Sequence, residues 1–223
     1  DFHRVMRTLE GAFNSTHPGH DTSLHLSRLR AAAAETRHAQ AWDEIKRWGE
    51  PILTELEQTL FPEALPRGVV HGDPKISNLR FQSAHHETRA VMIDLDTCNI
   101  HTRLVDLGDA VRSWCHRPEA APGSRFSIER WRALVAGYLS VADELTPLER
   151  VWLPRAGRVI TLELASRFAW DYLEDSYFAY DAERFPSRRA HNAARMREMY
   201  QLAVEMRAAL PDLVAWLDTS LDT

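Results

Sequence analysis

The spacing of apolar residues is helical over most of the chain and becomes strand-like in one stretch near residue 70. Trp42, Ile45 and Trp48 recur every three residues, which predicts the buried face of a helix. Pro51 is expected to end that helix and to open the next one, and Pro154 to interrupt a later one. The predicted helices cover 1–12, a segment from Thr22 or Ser23 through the alanines at 31–34, the segment around Trp42, the segment from Ile52 to Leu60, 127–142, 147–178 and 187–210.

The strand-like stretch lies between residues 68 and 94. Short apolar runs occur there as GVVH at 68–71, LRFQS at 79–83 and TRAVMID at 88–94, and such runs between turn residues predict short strands. The segment SAHHE, residues 83–87, is the expected connection of a β-hairpin. The predicted fold class is therefore α+β and mainly α, a helical domain with a β-hairpin near its middle.

Composition narrows the range of partners. The 223 residues carry 27 basic and 32 acidic side chains, a formal net charge of −5, and no basic stripe of the kind that neutralises nucleic-acid phosphates. No run approaches the roughly 18 apolar residues of a membrane helix. The two cysteines, Cys98 and Cys115, are too few for a disulfide framework. We expect a cytoplasmic protein with no nucleic-acid or membrane partner.

Polar residues cluster directly behind the first strand-like run. The loop HGDPKISN places His71, Asp73, Lys75 and Asn78 within eight positions, and Asp94 follows the apolar run VMI on the other arm of the predicted hairpin. A single HGD or IDLD is weak, because loops are rich in Asp and Asn that cap turns. The combination of D-x-K-x-x-N, a hairpin and I-D is far more specific, and two strand ends are expected to bring the acids together.

These residue types are those that phosphoryl transfer from a nucleotide requires. The reaction needs a carboxylate that orients the attacking hydroxyl, oxygen ligands for Mg²⁺ on the phosphates and a cation for the developing charge. Asp73 is predicted to be the base and Lys75 the cation. Asn78 and Asp94 are predicted to bind Mg²⁺, which prefers hard oxygen donors. ATP and Mg²⁺ are thus the expected cofactors.

The order of motifs resembles the aminoglycoside phosphotransferase family, the small-molecule relatives of the eukaryotic protein kinases. HGDPKISN and MIDLD match the catalytic and metal-binding loops of that superfamily position by position. The resemblance is closest to the N-acetylhexosamine 1-kinase branch, whose order is followed by HGDPKISNLRF, VMIDLDT, VDLGDAVR, ITLELASRFAWDYLEDSYF and the opening FHR and HDT. It implies an ATP-dependent kinase that phosphorylates a hydroxyl of an amino sugar.

The resemblance also implies supporting roles around the site. Asp106 resembles the aspartate that braces the catalytic loop, and His71 is expected to hold that loop by hydrogen bonds. Asp96 either contacts the acceptor or forms a turn. Arg167 either grips the acceptor or pairs with Glu163 four residues earlier on one helix.

The chain departs from the family pattern in what it lacks. There is no glycine-rich loop, and the only lysines are Lys46 and Lys75. Lys46 lies in a predicted helix and Lys75 in the HGD loop, so neither suits the strand lysine of a nucleotide-clamping lobe. Residues 1–223 are therefore predicted to be a kinase-like C-terminal lobe, catalytic and acceptor-binding, with the N-terminal ATP-clamping lobe absent or supplied by another chain. The partners are then a nucleotide and a small-molecule acceptor. Aminoglycoside, choline and homoserine remain alternative acceptors, and a non-catalytic acceptor-binding lobe is the other class.

Overall fold

The computed structural model describes residues 2–9, 13, 19–81, 90–116, 125–142 and 144–221. The expected hairpin connection at 83–87 lies outside this part of the chain. The helices are α1 (Phe2–Met6), α2 (Thr22–Ala34), α3 (Ala39–Glu57), α4 (Leu104–Trp114), α5 (Ile128–Leu139), α6 (Pro147–Glu174) and α7 (Arg188–Leu221), and the strands are β1 (Gly68–Val70), β2 (Leu79–Phe81), β3 (Ala90–Met92) and β4 (Asn99–His101). The mainly helical α+β class is confirmed.

The chain divides into two compact units. Unit 1 comprises residues 1–20, 62–157 and 206–223, and unit 2 comprises residues 21–61 and 158–205. Unit 1 holds all four strands together with α1, α4 and α5. Within the described residues, no helix combines the length and apolar character needed to cross a membrane.

Unit 2 is built around helix α3, which buries one apolar face. Leu56 joins a buried cluster with Leu26, Leu162 and Ala203. The preceding helix α2 is capped by Asp21, whose carboxylate accepts from the Leu24 amide at 2.9 Å. The predicted cap at Thr22 or Ser23 was therefore one or two residues late. Such a cap satisfies a backbone donor that has no partner inside the helix.

The two prolines expected to break helices do not break them. Pro51 lies inside α3 and Pro154 inside α6. A proline removes one backbone donor and costs about 3 kcal/mol within a helix. In α3 the buried positions Ile45, Ile52 and Leu56 stay in phase across Pro51, so burial of one continuous face offsets that cost.

The strands form two separate antiparallel pairs. β2 pairs with β3, with Leu79 opposite Met92 and Phe81 opposite Ala90, which is the expected hairpin. β1 pairs instead with β4, with Gly68 opposite His101 and Val70 opposite Asn99. The sequence analysis did not predict β4. The loop leaving β1 therefore runs between the two pairs, and it carries the HGD motif.

Candidate active site

The loop after β1 gathers three of the predicted site residues around one carboxylate. Asp73 Oδ2 accepts a hydrogen bond from the Lys75 ammonium and a second from Asn78 Nδ2 at 3.2 Å. Asn78 Nδ2 also donates to the Asp73 backbone carbonyl at 2.9 Å. The Asp73 carboxylate thus lies beside the Lys75 ammonium, while 27% of its side chain stays exposed to solvent.

The hairpin brings Asp94 next to Asn78. The backbone amide of Ile93 donates to the Asn78 carbonyl at 3.0 Å, extending the β2–β3 pairing by one position. Asp94 follows with φ 72° and ψ 63°, a left-handed conformation. Few residues other than glycine adopt it, and outliers of this kind concentrate at functional sites. The Asp94 carboxylate is exposed and makes no hydrogen bond or ion pair with any described residue.

Gly72 joins the two halves of the site by close packing. Its φ is +83°, and a Cβ added there would lie 2.4 Å from the carbonyl oxygen of Thr97, in the turn after Asp94. The Thr97 hydroxyl donates to the His71 carbonyl at 2.8 Å across the same contact. Only glycine tolerates both this backbone conformation and this approach. The HGD loop therefore packs directly against the turn that carries Asp94.

His71 is fully buried and uses both ring nitrogens within the protein. Nε2 lies 3.1 Å from the Ile93 carbonyl, which can only accept, so Nε2 carries the proton. Nδ1 then accepts from the backbone amide of Asp73 at 3.3 Å. An imidazole engaged in this way links the HGD loop to the strand end before Asp94 and leaves no ring nitrogen for proton transfer.

Asp106, in the first turn of α4, fixes the HGD motif by accepting hydrogen bonds from its backbone. Its two carboxylate oxygens accept from the backbone amides of His71 at 2.7 Å and Gly72 at 2.8 Å. The side chain is 4% exposed. A carboxylate that receives several donors in this way offsets the cost of its own burial and fixes the loop.

The sequence analysis missed four residues that complete this support. His3 Nε2 donates to Asp106 at 2.9 Å, and its Nδ1 lies 3.1 Å from the Tyr138 hydroxyl. On α4, Ser113 Oγ accepts from the Ile76 amide and Trp114 Nε1 donates to the Pro74 carbonyl. The only sequence signal was spacing: residues 106, 113 and 114 share one face of a helix. No local pattern connects residue 3 to residue 106.

The two candidate acceptor contacts differ in their surroundings. Asp96 is exposed beside Asp94, in a short turn at Leu95–Thr97. Arg167 belongs to unit 2, where its guanidinium lies 5.6 Å from the centre of the Phe178 ring. Glu163, the predicted salt-bridge partner of Arg167, accepts from the Thr22 hydroxyl.

Cys98, close to the site, is in surroundings that disfavour its thiolate. Burial raises the pKa of its thiol, and the nearby carboxylates of Asp106 and Asp96 raise it further. The thiolate is the reactive form of cysteine. Cys98 therefore packs as a small apolar side chain, as its 8% exposure indicates.

Comparison with known proteins assigns the family. The family described as the phosphotransferase enzyme family matches residues 1–152. The chain belongs to this family. The matched range includes the HGD loop, the hairpin, Asp94 and Asp106.

This phosphotransferase-family chain is similar to two kinases. A homoserine kinase from Phenylobacterium zucineum (strain HLK1) is 32% identical over 148 residues, which are 66% of this chain and 38% of that kinase. The structure of a microcompartment-associated aminopropanol kinase superposes with a TM-score of 0.53 at 18% identity, covering 96% of this chain and 60% of the other. The second likeness shows the fold. Neither relative supports the N-acetylhexosamine branch.

The donor set fits a magnesium ion. Asn78 commits its amide nitrogen to Asp73, which leaves its side-chain oxygen as the remaining donor, and the Asp94 carboxylate has no described partner. Both are hard oxygen ligands of the kind that Mg²⁺ prefers. The only other lysine, Lys46, lies on the surface of α3 in a 2.8 Å ion pair with Asp43, so it does not contribute to this site.

Proposed function

We propose that this protein is an ATP-dependent phosphotransferase that phosphorylates a hydroxyl group of a small molecule. The observation that carries the proposal is the arrangement of the HGD loop and the hairpin. Asn78 bonds to Asp73, its carbonyl pairs with Ile93 directly before Asp94, and Asp106 holds the loop. Phosphoryl transfer depends almost entirely on positioning and electrostatic stabilisation, and this arrangement fixes its groups through the backbone.

Each residue then has a defined task. Asp73 orients the acceptor hydroxyl and takes its proton. Lys75 neutralises negative charge beside Asp73, and Asn78 with Asp94 would hold Mg²⁺. When bound, Mg·ATP supplies the phosphoryl group and the metal that neutralises its oxygens.

The proposed acceptor is a small molecule bearing both a hydroxyl group and an amine. Homoserine and aminopropanol, named by the two relatives, are both of this type. An amino sugar shares part of this chemistry, and its support here comes only from the sequence motifs VDLGDAVR and ITLELASRFAWDYLEDSYF. The decisive comparison is therefore between amino alcohols and N-acetylhexosamines.

The function is tested by following acceptor-dependent ADP release in the full gene product with homoserine, aminopropanol, N-acetylglucosamine, choline and kanamycin. We expect turnover with an amino alcohol. Turnover restricted to N-acetylglucosamine would restore the amino-sugar branch. No turnover with any hydroxyl acceptor, together with acceptor binding detected by thermal shift, would favour the non-catalytic lobe.

The base is tested with Asp73→Asn in the same protein. Loss of a general base lowers the rate by about 10²- to 10⁴-fold, while nucleotide affinity should stay nearly unchanged because Asp73 is not a proposed metal ligand. Asp94→Ala is the matched variant and should weaken Mg·ATP binding instead. Substantial activity in Asp73→Asn would remove that residue from its assigned role.

The 223-residue chain itself is expected to turn over Mg·ATP poorly. It spans 38% of the homoserine kinase and 60% of the aminopropanol kinase, and it contains no glycine-rich loop and no strand lysine. We propose that residues 1–223 provide the catalytic and acceptor-binding lobe. Efficient catalysis by this chain alone would contradict that proposal.

A further inference from the structure

Unit 1 contains a pocket with a volume of about 200 Å³. Its lining includes His3, which donates to Asp106 below the catalytic loop. Its walls come from α1, the segment entering β1, the residue that precedes α4 and the segment around the start of α6. The ionisable side chains in its lining are those of His3, Arg7, Arg67, Arg103, Glu144 and Glu149. The lining therefore holds three arginines against two glutamates.

The two glutamates differ in how far they neutralise the arginines of the lining. Glu149 is 1% exposed and engages Arg103 through two bonds, Nε to Oε1 at 2.6 Å and Nη2 to Oε2 at 2.9 Å. Burial raises the pKa of Glu149, but the hydrogen bonds from Arg103 and Thr146 outweigh it and lower the pKa below its ordinary value. Glu144 is 87% exposed at its side chain and pairs with Arg150. The pair of Glu149 and Arg103 is thus neutral and closed.

Arg67 is the cation whose donors remain available to a ligand. Its Nη2 donates to the Ile100 carbonyl at 2.8 Å, and no described carboxylate pairs with it. A guanidinium has five N–H donors arranged in a planar fork that fits carboxylate and phosphate oxygens. The single backbone bond fixes the Arg67 side chain at the pocket wall while most of its donors are left over.

We propose that this pocket binds a small oxyanion, a phosphate or carboxylate group, with Arg67 as its principal ligand. The volume suits a group of this size or a small metabolite that bears it. The anion would neutralise the charge of Arg67, which has no described carboxylate partner, whereas Arg103 is already paired with Glu149.

The position of the pocket gives its occupancy a route to the catalytic loop. His3 forms part of the wall and donates to Asp106, which in turn holds the amides of His71 and Gly72. An anion that orders α1 would tighten this chain of hydrogen bonds. This consequence rests on the proposed function, whereas anion binding itself does not.

Binding is tested by thermal shift of the 223-residue chain in sodium phosphate, with sodium chloride at equal ionic strength as reference and with no nucleotide or acceptor. At ten times its dissociation constant a ligand should raise the melting temperature of a chain of this size by about 3 to 6 °C. Arg67→Ala should weaken phosphate binding about tenfold or more, because it removes charge-assisted hydrogen bonds.

Arg155→Ala is the matched control. Arg155 also lies in unit 1 and also donates to a backbone carbonyl, that of Val151, but it is not part of the pocket. It should leave the phosphate response unchanged. Absence of a phosphate response, or an equal loss in both variants, would overturn the proposal. If Arg67→Ala does not fold, Arg67→Lys should show a weakened response, since lysine lacks the fork.

Coupling is read separately from the amide resonance of Gly72 in a ¹H–¹⁵N spectrum. Phosphate should shift this resonance in the wild type and not in Arg67→Ala. A phosphate response confined to residues 66–69, with Gly72 unchanged, would show a site uncoupled from the catalytic loop. Neither result depends on catalytic activity, so failure of the anion site and failure of the proposed phosphotransferase function are distinguishable.

Discussion

At the scale of single residues, the site depends on two backbone conformations that the chain would ordinarily avoid. Gly72 and Asp94 both have positive φ, at +83° and 72°. Gly72 permits contact with Thr97, while Asp94 turns its carboxylate out of the hairpin and into solvent. Because the cost of such conformations is of order 1–3 kcal/mol for residues other than glycine, Asp94 must be held in place by its surroundings, which include the pairing of Ile93 with Asn78.

Gly72→Ala should destabilise the protein by about 2 kcal/mol or more, because the added methyl group meets the Thr97 carbonyl and alanine disfavours positive φ. Urea denaturation measures the change in the free energy of unfolding. Gly137→Ala is the control: Gly137 lies in α5 with no heavy atom within 4 Å of the added Cβ, so this change should stabilise by about 0.5–1 kcal/mol. Equal effects of the two substitutions would show that the contact with Thr97 is unimportant.

Local spacing predicted much of the site and little of what lies beneath it. The pairing of β2 with β3 brings Asp94 next to the loop that carries Asp73, Lys75 and Asn78. His3 reaches the same site through contacts more than a hundred residues apart, and no period or motif in one sequence carries that information.

At the scale of elements, the helices show where sequence patterns mislead. Proline is a strong local signal, yet α3 and α6 continue through Pro51 and Pro154. In α3 the buried face stays in phase across the proline. β4 was missed because three residues, Asn99–His101, show no strand pattern of their own. The partner strand β1 determines their conformation, and this is a tertiary effect that propensity does not report.

The segment after α6 shows how one buried carboxylate organises a loop. Helix α6 ends where Asp175 adopts φ 52°. Asp171 is fully buried and accepts from the amides of Ser176, Tyr177 and Phe178 and from Asn192 Nδ2 at 2.8 Å. The first carboxylate of the acidic stretch 171–183 thus lies inside the protein.

Asp171→Asn should lower the free energy of unfolding by about 1–3 kcal/mol at neutral pH, because an amide cannot accept all of these bonds. Burial raises the pKa of Asp171, but the hydrogen bonds outweigh it and lower the pKa below 3.8. The carboxylate therefore stabilises the fold above about pH 4, and this contribution is lost as the pH falls through the lower folded value.

Urea denaturation of both proteins between pH 7 and pH 2.5 measures this dependence. The difference between wild type and Asp171→Asn should be constant above about pH 5 and shrink below pH 4. Asp212→Asn serves as the control, since Asp212 is exposed on α7. A difference that grows on acidification would contradict the assignment.

At the scale of the whole molecule, apolar side chains remain exposed around the candidate site. Ile76, Phe81, Val91 and Leu95 are 53–60% exposed. Phe81 pairs with Ala90, and Val91 pairs with Arg80. Because paired residues share a face and successive residues alternate, Phe81 and Val91 point to opposite faces of the hairpin. Exposed apolar patches of this kind mark interaction surfaces or aggregation risks.

The 223-residue chain should therefore self-associate as its concentration rises, and the double substitution Phe81→Thr with Val91→Thr should reduce this. Threonine keeps the strand preference while removing apolar surface. Sedimentation velocity across a concentration series measures the effect. Val151→Thr is the control, since Val151 is 53% exposed on α6 away from the hairpin. If the control reduces association equally, the hairpin is not the responsible surface.

The contact between Gly72 and Thr97 couples two loops that are separate in sequence, the HGD loop and the turn after Asp94. The Thr97 hydroxyl, the His71 imidazole and the Asn78 carbonyl all bridge the same gap. Amide hydrogens in residues 71–73 and 93–98 would then exchange with solvent through a shared opening event. The proposed base and metal ligands would be lost and regained together, so a partly assembled site would be a rare state of this protein.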